Sequence, residues 1–164
     1  MGNLAIMKHL KPDSPANTFV RLLIPIDASD ESRGGILYAS HLARAGIQVE
    51  ACVLFIAEPV RSWEVLRFYT ESEVRKHFQE RSALFLKDAA KSLSEAGINC
   101  RTYFREAEAV SAVIDLAEEL GCSEIVVPRI HRLGLFPSGL GPKLINRHCT
   151  TPVTLINADG STEV

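Results

Sequence analysis

Leu22-Leu23-Ile24-Pro25-Ile26-Asp27-Ala28-Ser29 is an apolar run that ends in a carboxylate and passes at once into the helix-start signal Ser29-Asp30-Glu31. The run shows no alternation of apolar and polar residues, so it reads as a strand buried on both faces. Such strands belong to parallel sheets, and open parallel sheets bind ligands beyond the C-terminal ends of their strands. Asp27 stands at that end of this strand.

The same unit recurs along the chain. Gly46, Gly97 and Gly121 each close a periodic segment and lead into a new apolar run. Glycine just past a helix takes the left-handed cap without a Cβ penalty. Val110, Val113, Ile114, Ala117 and Leu120 fall on one helical face, as do Val74, Phe78, Phe85, Ala89 and Leu93 on a longer helix. The order read from these signals is strand 20–27, helix 30–45, strand 48–57, helix 71–96, strand 99–104, helix 108–120, strand 124–128, helix 140–148 and strand 152–157. Strands alternating with helices make right-handed crossovers and a parallel sheet. The fold class is therefore α/β, a single-domain five-stranded parallel sheet sandwiched by helices. The longest connection, residues 58–70, carries Trp63, Phe68 and Tyr69 and reads as a cover over the sheet edge or a partner contact.

With 164 residues the chain suits one domain. Its 46% hydrophobic and 23% charged residues are those of an ordinary globular protein. A formal net charge of -2 argues against nucleic acid and anionic membranes as partners. No apolar stretch approaches the roughly 20 residues of a spanning helix, and no secretory leader is evident, so the expected compartment is the cytoplasm. Residues 1–18 read as a flexible arm and 158–164 as a C-terminal tail. Cys52, Cys100, Cys122 and Cys149 are scattered without metal-ligand spacing, and the five histidines form no ligand pair.

The chain resembles the universal stress protein family over residues 19–157. The resemblance rests on Ile24-Pro25-Ile26-Asp27-Ala28-Ser29, Val53-Leu54-Phe55-Ile56, Ser123-Glu124-Ile125-Val126-Val127, and the segment from Leu144 to Ile156. It implies an adenine-nucleotide-binding type of α/β fold. ATP-binding members carry G-x2-G-x9-G-[S/T] after strand four, where glycines let the backbone approach the phosphates. Here Pro128 and His131 stand at the first two glycine positions, Gly141 at the third, and Pro142 at the hydroxyl position. Aligned backward from Pro152, Gly139 and Leu140 take the last two positions instead. Proline has no N–H to give a phosphate, and neither register restores the motif. Residues 104–109 place Glu106 and Glu108 where family members usually have a glycine near the ligand.

The candidate ligand-binding set carried over from the family is Pro25, Asp27, Ile56, Val127, Arg129, Ser138, Gly139 and Gly141. Asp27 matches the residue that contacts the nucleoside in ATP-binding members. No catalytic or metal-binding set stands out. The resemblance thus implies a non-enzymatic stress-response or regulatory homodimer with weak or absent ATP binding. The alternative is a regulatory module that takes ATP, ADP or AMP through a variant glycine loop. Dimerisation is expected through the last strand, residues 153–157, with Thr154 giving a ladder N–H to the partner copy.

Overall fold

Phe19–Ile26 form strand β1, and from Leu22 to Ile26 every residue is buried. The computed structural model describes residues 19–27, 31–59, 62–129 and 140–162. After β1 come a 3-10 turn at Glu31–Arg33, helix α1 (Gly34–Arg44), strand β2 (Gln48–Ala57) and the short helix α2 (Trp63–Leu66). Then follow α3 (Glu71–Glu95), β3 (Asn99–Glu106), α4 (Ala109–Leu120), β4 (Glu124–Pro128), α5 (Leu140–Asn146) and β5 (Val153–Ile156). All strand pairs are parallel, in the order β3-β2-β1-β4-β5.

The pleat divides the core in two. Leu22, Ile24, Ile26, Val53 and Phe55 pack towards α1 and α3, among them Tyr38, Leu42, Leu86 and Leu93. Leu23, Cys52, Leu54, Ile56, Ile125 and Val127 pack on the other face against Val113, Leu116 and Leu144 of α4 and α5. Gly46, Gly97 and Gly121 take φ values of 86, 74 and 62°, as the helix-ending role requires.

Three boundaries differ from the sequence reading. The expected helix over 30–45 begins as a 3-10 turn, and the α-helix starts only at Gly34. Ser32 Oγ donates 3.1 Å to the Asp27 carbonyl and tightens that turn. A Cβ at Gly35 would lie 2.5 Å from Ile24 Cγ2, so the glycine lets α1 sit directly on β1. Strand β3 runs to Glu106, because its pairing with β2 continues to Ala57↔Glu106. Helix α5 stops at Asn146, and His148 takes a φ of 52° just beyond it. The residues after β5 turn back on the fold. Asn157 N donates to Ser161 O at 2.8 Å, and Gly160 is packed against Leu37 and Tyr38.

One polar bond ties α1 to the far side of β1. Tyr38 Oη donates to Glu124 Oε1 at 2.9 Å, with both side chains buried. Burial, and then the Glu124 charge and hydrogen bond, push the phenol far above its usual range. Tyr38→Phe should lower the unfolding free energy by about 1–3 kcal/mol, the cost of withdrawing a buried donor. Folding raises the Tyr38 pKa, so its contribution is complete below the unfolded value and is lost as pH rises through the folded one. The gap in urea midpoint between wild type and Tyr38→Phe should therefore narrow above about pH 10, whereas a gap constant with pH would contradict this coupling.

Candidate functional site

The strand order reverses at β1, which has β2 on one edge and β4 on the other. In open α/β sheets the crevice beyond such a reversal is where ligands enter. Pro25 shapes this one. Pairing of β1 with β2 continues to Ile26↔Phe55, but pairing with β4 stops at Leu23↔Ile125. Proline has no N–H for a ladder bond. β1 and β4 are therefore not paired with each other above Leu23, at the end where Asp27 emerges.

Asp27 is buried, with its backbone carbonyl held by Ser32. It also borders a groove of about 530 Å³ between α1 and α3, together with Ser32, Arg33, Phe85 and Asp88. Arg33 and Asp88 bridge that groove at 3.0 Å, but both side chains are more than half exposed, so the pair adds little stability. Ile56 and Val127 lie fully in the core under α4 and α5, so only their backbones border the strand ends.

Arg129 and Gly141 are both engaged on the β5 side of the fold. The Arg129 backbone N–H donates to Ile156 O at 2.8 Å. Its guanidinium turns to the β5 side, where Nη2 donates to Leu155 O at 3.4 Å and Thr162 O at 3.0 Å. The arginine thus fastens the C-terminal turn. Gly141 lies within α5, and a Cβ there would collide with Leu155 Cδ2 and touch Val127 Cγ2 at 3.4 Å. The glycine serves close packing of helix on sheet. Ser138 and Gly139 lie outside the described residues, as do His131 and Arg132.

The N-terminus of α4 is occupied by the chain's own carboxylates. Glu108 accepts from Val110 N at 3.2 Å, Ser111 N at 3.0 Å and Ser111 Oγ at 2.7 Å. The Ser111 hydroxyl, followed by the backbone N–H groups, holds the Glu108 carboxyl below its usual range. Ala109 N donates to Glu58 Oε1 at 3.2 Å. The helix end that would attract an anion is already neutralised. Glu108 is legible as a cap, an acidic residue before a periodic apolar run. Glu58 lies 51 residues away, and nothing local in the sequence points to it.

The aromatic side chains of the 58–70 connection stand out from the sheet. Trp63 is 67% exposed, Phe68 73% and Tyr69 59%. Val65 and Tyr69 instead line an open apolar groove of about 570 Å³ with Val74 and Phe78 of α3. Among the described residues no group of three or more His, Cys, Asp or Glu side chains could hold a metal ion. No helix among them is long and apolar enough to cross a membrane.

The universal stress protein family model matches residues 18–156. The chain belongs to the universal stress protein family. No curated protein sequence matches the chain significantly. Its fold is similar to a universal stress protein family member from Burkholderia pseudomallei, with a TM-score of 0.68 and 20% identity over 87% of this chain and 99% of that one. A universal stress protein solved in complex with cAMP gives a TM-score of 0.62 at 16% identity, over 87% and 99% of the two chains. A family member from Arabidopsis thaliana with AMP bound gives 0.60 at 10% identity, over 84% and 90%.

The packing role of Gly141 has a direct consequence. Gly141→Ala should destabilise this universal stress protein by about 1–3 kcal/mol, the usual cost of overpacking, in a chemical denaturation series. Unchanged stability would mean that the face of α5 at Gly141 is open.

Proposed function

We propose that the protein is a non-enzymatic regulatory universal stress protein that acts as a homodimer and binds ATP weakly or not at all. The observation that carries this reading is the engagement of Arg129 and Gly141. Both were candidates for holding phosphates, and both are tied to the β5 side of the fold. Pro128 and Pro142 further remove two backbone donors from the segment that would cradle a triphosphate. Hydrogen bonds to charged groups contribute about 1.5–3 kcal/mol each, so the loss of several leaves little affinity. Calorimetry with Mg-ATP should show binding no tighter than about millimolar. Tight, Mg-dependent binding would overturn the reading.

The second reading is a module for a nucleotide with a single phosphate. It is favoured by the crevice that Pro25 leaves between β1 and β4 beside Asp27, and by the AMP and cAMP complexes of similar folds. Such a ligand needs fewer phosphate donors than ATP. AMP or cAMP binding that survives where ATP fails, and that is lost in Asp27→Ala, would select it.

For the homodimer, the register of β5 decides which groups are available. Ile125 N donates to Pro152 O and Arg129 N to Ile156 O. By the two-residue period Thr154 also faces β4, so its N–H is not free for the partner expected from the sequence. Val153, Leu155 and Asn157 face outward, and Asn157 N is already taken by Ser161 O. The open edge is reduced to Val153–Leu155. Val153→Pro should shift the protein towards monomer in light scattering, because it removes an outward N–H at the strand start. A variant that stays dimeric would place the interface elsewhere.

A further inference from the structure

Arg129 directly follows β4, at the end of the sheet where β1 and β4 part, and one edge of its guanidinium is only half satisfied. Nε and Nη2 lie side by side and point the same way, the fork that takes two oxygens of one anion. Nη2 donates to Thr162 O at 3.0 Å and to Leu155 O at 3.4 Å. Nε is buried and has no acceptor. A carbonyl brings one oxygen, so it fills one prong of the fork and leaves the other without a partner. Among the described residues no carboxylate is paired with Arg129. A buried N–H without an acceptor is rare in folded proteins, and this one lies beside a donor held by the C-terminal turn.

That turn carries its own hydrogen bonds. From Ile156 it passes the end of β4 and reaches α1, because β4 lies between β5 and β1 in the sheet. Asn157 N donates to Ser161 O at 2.8 Å, Gly160 N to Asn157 O at 3.0 Å, Asn157 Nδ2 to Ser161 Oγ at 2.9 Å and Ser161 N to Asp159 Oδ1 at 2.9 Å. These bonds lie within the turn, so it can part from Arg129 with its own polar groups still paired. Its docking on α1 depends on Gly160, which has a φ of 82°. A Cβ there would lie 2.7 Å from Tyr38 N and 2.8 Å from Leu37 Cβ.

We propose that the Nε and Nη2 edge of Arg129 is a binding site for a phosphate group, and that the Thr162 carbonyl closes it. Phosphate offers two oxygens at the spacing of the fork together with negative charge, whereas each carbonyl supplies one neutral oxygen. The site opens when residues 157–162 lift from α1. Phosphate binding and turn docking therefore exclude each other, and the affinity of the closed protein is the intrinsic one reduced by the open fraction. By linkage, a bound phosphate loosens the turn as much as the turn weakens the phosphate. This assignment rests on the reading above that the protein as folded binds ATP weakly, and it makes the C-terminal turn one removable cause of that weakness.

Inorganic phosphate and AMP are titrated calorimetrically, at fixed ionic strength, into the full-length protein and into Gly160→Val, Arg129→Gln and the two combined. Circular dichroism checks that each variant is folded. Gly160→Val dislodges the turn and should bind inorganic phosphate at least about tenfold more tightly than wild type. The combined variant should lose that gain. In the wild type, which needs no substitution, phosphate should speed hydrogen exchange at Asn157 N, and in Arg129→Gln that rate should not respond to phosphate. An AMP affinity above that of phosphate would identify a nucleotide as the source of the group, and equal affinities would identify free phosphate. A Gly160→Val protein that binds phosphate no better than a wild type with weak Mg-ATP binding would overturn this site alone. So would a gain that survives the loss of Arg129, or phosphate that leaves Asn157 exchange unchanged. Tight Mg-ATP binding by the wild type would overturn both the site and the reading beneath it.

Discussion

A strand paired on both edges and covered on both faces can present only its end to a ligand. That constraint on β1 organises the molecule. Leu22, Leu23 and Ile24 are each completely buried, so β1 tolerates polar chemistry only where the strand runs out. Asp27 is that point. The turn beyond it is closed by Ser32, and helix α1 can lie on β1 because Gly35 leaves room for Ile24. Tyr38 then carries the same helix across to Glu124 at the start of β4. The central strand, its helix and its second neighbour are thus locked as one unit, and Pro25 releases β4 only at the ligand end.

The elements around this unit are engaged within the fold. An arginine beside a strand end can hold a phosphate, but Arg129 holds the carbonyls of Leu155 and Thr162. A glycine at a helix start can admit a phosphate oxygen, but Gly141 admits Leu155. A helix N-terminus can attract an anion, but α4 has Glu58 and Glu108. Arg129 and the two glutamates satisfy backbone carbonyls and N–H groups from within the chain, and Gly141 gives its space to a side chain.

Much of the fold was legible because its signals are local. The uninterrupted run at 22–26 and the glycines at 46, 97 and 121 each act within one turn of themselves. The parallel sheet follows from their repetition. The site was less legible, for reasons that are also physical. The direction in which Arg129 points depends on residue 162, and the crowding of Gly141 depends on residue 155. Neither partner can be identified from the motif around 128–142. The phase of β5 was missed because an apolar edge strand has hydrogen-bonding groups on alternating sides, and only its pairing with β4 says which residues face out. The 58–70 aromatics were read as a cover over the sheet edge or a partner contact, and their exposure depends on how far α3 extends past the sheet. The first turns of that helix, from Glu71 to Arg81, hold no buried residue, while Ser82, Leu86, Ala89 and Leu93 do pack.

The base of the sheet follows a different rule from the top. Glu50 is nearly buried, and a carboxylate in that position must be compensated. Arg21 bonds it, and Arg101 Nε lies 3.2 Å from Oε1 without the alignment of a hydrogen bond, so that second contact is chiefly Coulombic. These charges are the permanent electrostatic surroundings of Cys52. Arg21 cannot leave without exposing the Leu120 carbonyl at the end of α4 and stranding Glu50. The cluster therefore seals the lower end of the sheet, because one guanidinium satisfies both the helix end and the buried carboxylate.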